Sequence, residues 1–121
     1  MTERSRLGQK GEDAAVRYLK RKGFRILDRN YSVLSGEIDV IALKNKVLCF
    51  IEVKTRSGDH FDEALDAITP HKQQVLRRTA EIFIDRLREN EVDYDECQFD
   101  AVIVLYDEHG RCDLEHFENI C

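Results

Sequence analysis

Asp39, Glu52 and Lys54 are three ionisable residues set among Ile38, Val40, Ile41, Phe50, Ile51 and Val53. A carboxylate among apolar neighbours is costly unless it is paired or coordinates a cation. An Asp followed downstream by Glu-x-Lys therefore has the composition of a divalent-metal site with a lysine beside it. Magnesium prefers oxygen ligands at about 2.1 Å and keeps several waters. Such an ion lowers the pKa of a bound water and acts as a Lewis acid on a bound oxygen. Lys54, two residues after Glu52 and on its face, is placed to orient water or offset developing negative charge. The structural alternative is an ion pair of Glu52 and Lys54 with Asp39 at a sheet edge.

These residues need a hairpin to bring them together. Gly36–Leu43 and Val47–Lys54 read as two strands. Side chains alternate faces, so the turn length decides which residues meet. If positions 44 and 47 close the turn, Asp39 lies opposite Glu52 and Glu37 opposite Lys54, with Cα atoms roughly 4.5–5.5 Å apart. A three-residue loop would send the two carboxylates to opposite faces. A four-residue loop is expected over a tight Asn45-Lys46 turn, because lysine adopts positive φ poorly. On this register Asp39, Ile41, Leu43, Leu48, Phe50, Glu52 and Lys54 share one face. Ile38, Val40, Ala42, Cys49, Ile51 and Val53 make the other, wholly apolar face. Both faces then require covering elements, and the charged end becomes a cleft.

The surrounding sequence supplies those elements. Positions 5–22 read as a helix through Leu7, Gly11, Ala14, Ala15, Tyr18 and Leu19, stopped by Lys22-Gly23. Phe24–Arg29 is a short strand, Asn30–Ser35 a connection and Thr55–His60 an exposed loop. Thr69-Pro70 is a helix start, Thr as N-cap and Pro at the first helical position. The helix is expected to run to about Glu89 and to bury Val75, Leu76, Ala80, Phe83, Ile84 and Leu87. After an acidic turn at 93–96, Phe99–Tyr106 reads as a buried strand, and Asp107–Gly110 as a hairpin loop into a last strand at about 111–117. The expected fold is α/β, a mixed sheet of about five strands flanked by helices. Residues 99–105 are expected to run parallel to a neighbour through the helical crossover.

Composition sets the outer bounds. With 121 residues and 42% hydrophobic content, one domain over 1–121 is expected. No apolar run has the length of a membrane span and the N-terminus has no signal-peptide core, so a cytoplasmic protein without membrane contact is expected. Cys49, Cys97, Cys112 and Cys121 have no C-x-x-C spacing and the histidines are scattered, which points to neither a zinc site nor a disulfide framework. The net charge of −5 divides unevenly: residues 1–90 hold 18 basic and 14 acidic groups, residues 91–121 one basic and ten. A phosphate backbone responds to the local field, which is positive in the first part. Arg17, Lys20, Arg21 and Lys22 are equally consistent with a solvated helix end.

Gly36-Glu37-Ile38-Asp39-Val40-Ile41-Ala42, with Phe50-Ile51-Glu52-Val53-Lys54-Thr55-Arg56, resembles the PD-(D/E)xK nuclease core. More narrowly the chain resembles the YraN-type family of small bacterial proteins, related to archaeal Holliday-junction resolvases and the restriction-endonuclease-like fold. The likeness extends through Gly8–Ala15, Asp66-Ala67-Ile68, Lys72-Gln73 and Phe99–Val102, about 100 of the 121 residues. It implies that Asp39, Glu52 and the Val53 carbonyl hold Mg²⁺ or Mn²⁺, that Lys54 sits by the attacked phosphate, and that Glu12 and Gln73 complete a catalytic cleft. Arg56, Lys72 and Lys10 are the nucleic-acid contacts it implies. Ordinary roles are open beside these: Glu12 complementing a helix dipole, Gln73 in an exposed helical turn, Arg56 solvating a loop.

The likeness departs at Asp62, where glycine is expected, and at Gln98, where arginine is expected. Both changes are expected to weaken DNA affinity. The implied activity is an endonuclease acting on branched or structured DNA, as monomer or homodimer. Two other classes stand beside it: a non-catalytic nucleic-acid-binding or accessory protein that keeps the fold, and a protein-interaction module using the acidic segment 91–121.

Overall fold

The computed structural model describes residues 3–58 and 61–121. The elements in chain order are α1 (Glu3–Arg21), β1 (Arg25–Val33), β2 (Gly36–Lys44), β3 (Val47–Ser57), α2 (Phe61–Asp66), α3 (Pro70–Arg86), β4 (Glu96–Tyr106) and β5 (Cys112–Phe117). The strands form one sheet in the order β1-β2-β3-β4-β5. β3 and β4 are parallel, joined through α2 and α3, and the other neighbours are antiparallel. This is the mixed α/β sheet that the sequence pattern implies, in the restriction-endonuclease-like arrangement that the family resemblance implies.

α1 packs on one face, against Val40, Ala42, Cys49, Ile51, Val102 and Val104. α3 packs on the other, where Leu76 and Ala80 meet Ile38, Ile41, Leu48 and Phe50. Phe50 is fully buried, stacked on Phe99 at 5.5 Å and edge-on to Phe83 at 5.9 Å. Burying a side chain of this size stabilises the fold by roughly 1.5–3 kcal/mol. Thr79, also fully buried, donates its hydroxyl to the Val75 carbonyl at 2.8 Å and so stays within an apolar surface.

The local signals at helix ends hold. Gly23 has φ 94°, and Phe24 N–H donates to the Leu19 carbonyl at 3.0 Å, closing α1 with a left-handed residue. The Thr69 hydroxyl accepts from Lys72 N–H at 3.2 Å, with Pro70 at the start of α3.

Several boundaries differ from the sequence expectation. β1 continues to Val33, through the segment expected as a connection, with Asn30 in a left-handed conformation (φ 53°). β3 continues to Ser57, paired throughout with β4, where an exposed loop was expected. Positions 59 and 60 of that loop lie outside the described residues, as does the side chain of Asp62. α2 had no sequence signal. The hairpin closes on a two-residue turn, Asn45 (φ 51°) and Lys46 (φ 63°), with Lys44 paired to Val47. Two positive-φ residues give the turn the right-handed twist of the strands, and that match outweighs the poor intrinsic preference of lysine. The acidic segment 91–121 carries β4 and β5, at the strand positions the sequence pattern implies.

Candidate functional site

The β2–β3 ladder follows the expected register from Lys44/Val47 up to Val40/Ile51 and stops there. Neither Asp39/Glu52 nor Glu37/Lys54 is a ladder pair, so the two strands part at the charged end. Strict alternation also breaks here. Ile38 packs on the α3 face with Ile41, while Val40 between them packs on the α1 face. Ile38 is thus on the face opposite to the one expected. The gap is held by the Asp39 carboxylate, whose Oδ2 accepts from Val53 N–H at 2.8 Å. Asp39 takes the position a backbone carbonyl would occupy in a continuing ladder.

Asp39 opens into a cavity of about 510 Å³ together with Glu12, Val53, Lys54 and Arg56. Glu52 and Lys54 follow Leu48 and Phe50 along β3, and their side chains pair at 3.4 Å while only about a fifth exposed. Burial, then the charge of Glu52, push the Asp39 carboxyl up to about 7; Glu12 and Glu37 add to the rise and the Val53 N–H opposes it. The half-buried Asp39 carboxylate therefore stands in the negative field of its acidic neighbours. An all-oxygen donor set with excess negative charge fits a hard divalent cation. Asp39 and Val53 line the cavity, while Glu52, whose charge reaches Asp39, is not among its lining residues.

Glu12 reaches this cavity from α1, and its approach depends on a close crossing. A Cβ on Gly11 would collide with the Thr55 side chain, so only glycine lets α1 lie this near to β3. Gly36 plays the same part on the other face, where an added Cβ would meet Thr79 and Val75 of α3. These two contacts give a steric reason for glycine in both motifs. The Glu12 carboxylate is already engaged, accepting from Arg29 Nε at 3.1 Å and from Asn30 Nδ2 at 2.9 Å. Arg29 also holds Asp13, at 2.6 Å. Arg29 and Asn30, in the segment of β1 with irregular backbone, have no sequence signal for this role.

The remaining candidates separate. Lys72 stands against Lys54 at the start of α3, and the close Lys54 side chain with its positive charge holds the Lys72 ammonium below its ordinary pKa. Arg56 lies on the cavity rim and donates to its neighbour's carbonyl, Thr55, at 2.9 Å. Lys10 sits over the Tyr106 ring at 5.6 Å. Gln73 does not join the cleft: its amide donates to the Ile68 carbonyl at 3.3 Å and faces a separate cavity beside Leu65 and Pro70. Gln98 faces a different cavity, beside His116 and Glu118. Its substitution for arginine therefore bears on that region and not on phosphate contact in the cleft.

A second cluster lies outside the sequence-predicted set. Among the described residues, Asp100, His116 and Glu118 present metal-ligating atoms within 4.8 Å of one another; Glu12, Asp39 and Glu52 do not make such a trio. Asp100 sits in the likeness-bearing Phe99–Val102 segment, but nothing in a single sequence links it to His116. No described helix is long and apolar enough to cross a membrane.

The profile of the Uncharacterised protein family UPF0102 matches residues 11–104, from Gly11 through the parallel strand β4. A UPF0102 protein of Pelotomaculum thermopropionicum is 43% identical over 117 residues, covering 96% of this chain and 95% of that protein. One from Prosthecochloris aestuarii is 41% identical over 112 residues, covering 93% and 86%. One from Flavobacterium psychrophilum is 38% identical over 119 residues, covering 98% and 96%. The chain belongs to the UPF0102 family, the YraN-type family that its hairpin motifs resemble.

Proposed function

We propose that this protein is a Mg²⁺- or Mn²⁺-dependent endonuclease that hydrolyses phosphodiester bonds in branched or structured DNA. The observation that carries the reading is the opened β2–β3 fork, where a carboxyl pushed up to about 7 faces the charge of Glu52 with Lys54 alongside. Asp39, Glu52 and the Val53 carbonyl would hold the cation. When bound, the ion supplies a more acidic water and a charge that polarises the scissile phosphate.

The chain's own groups do the rest. The Val53 N–H fixes the Asp39 carboxylate, so its second oxygen keeps one direction. The Lys54 ammonium, paired with Glu52 at 3.4 Å, would orient the attacking water and offset charge developing on the phosphate. Lys72 adds a second cation beside it, and Arg56 and Lys10 meet flanking phosphates at the rim. Arg29 and Asn30 hold Glu12 at the cleft wall. DNA is the proposed partner.

The test is cleavage of four-way, flap and linear duplex substrates with Mg²⁺ and Mn²⁺, beside a Glu52→Gln control. Metal-dependent cuts on junction or flap that Glu52→Gln lowers by at least about a hundredfold support the proposal. Tight, salt-dependent DNA binding with no cleavage under either metal would assign the fold to an accessory role instead.

A further inference from the structure

We propose that Asp100, His116 and Glu118 form a second metal site, for a borderline divalent transition metal of the zinc class, independent of the cleft at Asp39. His116 Nε2 lies 2.8 Å from Asp100 Oδ2, and the Glu118 carboxylate completes a set of donor atoms within 4.8 Å. One imidazole nitrogen and two carboxylates suit zinc, whose ligands sit at about 2.0–2.2 Å and which keeps a water where the protein provides only three. A hard ion such as Mg²⁺ would favour the all-oxygen cleft instead.

Three observations make this more than a group of charges. The ligands are pre-oriented: Asp100 is fully buried and its Oδ1 accepts from Asn119 N–H at 3.0 Å, which leaves Oδ2 turned to His116. The His116 ring is fixed edge-on between Tyr18 and Phe24, with centroids at 5.8 and 6.0 Å, and its side chain is 8% exposed. Supporting contacts of this kind set ligand orientation in metal sites. Gln98 Nε2 then sits between the two acids, 3.2 Å from Asp100 Oδ2 and 3.5 Å from Glu118 Oε1. A positive dipole bridging two carboxylates marks the point where a cation is favoured, and the side-chain amide can swing away or turn its oxygen inward when one arrives. There is also a way in, since a cavity of about 470 Å³ is lined by Gln98, His116 and Glu118.

The position separates this site from the cleft. It lies at the C-terminal end of α1, by Tyr18 and Lys22, whereas the cleft lies by Gly8 and Glu12. The metal would tie β5 and the chain after it, at Glu118, to the buried middle of the sheet.

Co²⁺ absorption and Zn²⁺ calorimetry on the full chain carrying Asp39→Asn and Glu52→Gln test the site with the cleft disabled. One equivalent should bind, giving cobalt d–d bands, and Mg²⁺ in excess should not displace it. Glu118→Gln, at an exposed position expected to leave the fold intact, should weaken binding by roughly ten- to a hundredfold, and His116→Gln by at least as much. Absence of Co²⁺ and Zn²⁺ binding overturns the proposal. So does binding that both variants retain, which would belong to the exposed thiols of Cys97, Cys112 and Cys121. If His116→Gln fails to fold, the Glu118→Gln result alone decides.

Discussion

Val53 N–H donates to Asp39 Oδ2 at 2.8 Å across the gap where the β2–β3 ladder ends, so one side chain substitutes for the next backbone partner. That contact fixes a carboxylate at the fork of the two strands, and the surrounding acids make it a poor anion without a cation.

Metal-free stability should fall as pH rises through this group's titration. Asp39 is raised from an ordinary value of 3.8 to about 7, so the folded protein keeps a proton that the unfolded chain has already lost. The folded state is thus favoured at the acidic end of that window and loses the advantage as pH approaches and passes 7. Asp39→Asn removes the penalty and leaves an oxygen for Val53 N–H. The variant should be more stable than the parent near pH 8 by about 1–3 kcal/mol, with the difference vanishing near pH 4. Thermal unfolding in chelator at both pH values measures it.

Gly11→Ala should destabilise, although alanine in a helix interior ordinarily gains about 0.5–1 kcal/mol over glycine. Here the added methyl collides with Thr55, and overpacking of this kind costs roughly 1–3 kcal/mol. Glu12 moves with α1, so metal-dependent cleavage should drop together with the melting temperature. Thr55→Gly in the same chain should restore much of both.

Neighbouring residues on α3 should behave differently. Gln73→Ala should leave cleavage within about twofold of the parent, because its amide serves the Ile68 carbonyl away from the cleft. Lys72→Ala and Arg56→Ala should each lower the slope of log affinity against log salt by about one, uniformly across DNA sequences. Fluorescence anisotropy over a salt series measures the slopes.

The sequence carried the strand positions and the β2–β3 register because alternating apolar residues and a fixed chain direction leave few options. Thr69-Pro70 and Lys22-Gly23 were readable for a similar reason, since each satisfies a local backbone need. What the pattern could not show was tertiary. The stop in the ladder at Val40, and the turn of Ile38 to the α3 face, are seen only once both helices are packed on the sheet. Glu12 was legible as a candidate, but its partners Arg29 and Asn30 were not, because they come from a strand whose backbone turns left-handed at Asn30. Lys46 at positive φ shows the opposite error: residue preference argued against a tight turn that strand twist required. Asp100 and His116 are sixteen positions apart and meet only because β4 and β5 pair.

Calorimetric titration of Mg²⁺ into the protein tests the central claim most directly, run near pH 6 and near pH 8 in buffers of different ionisation enthalpy. The account predicts one site, lost in Asp39→Asn and in Glu52→Gln, with proton release on binding that is large near pH 6 and small near pH 8, because the cation displaces the proton from Asp39. Absence of Mg²⁺ binding at millimolar concentration, or binding that both variants retain unchanged, would contradict it.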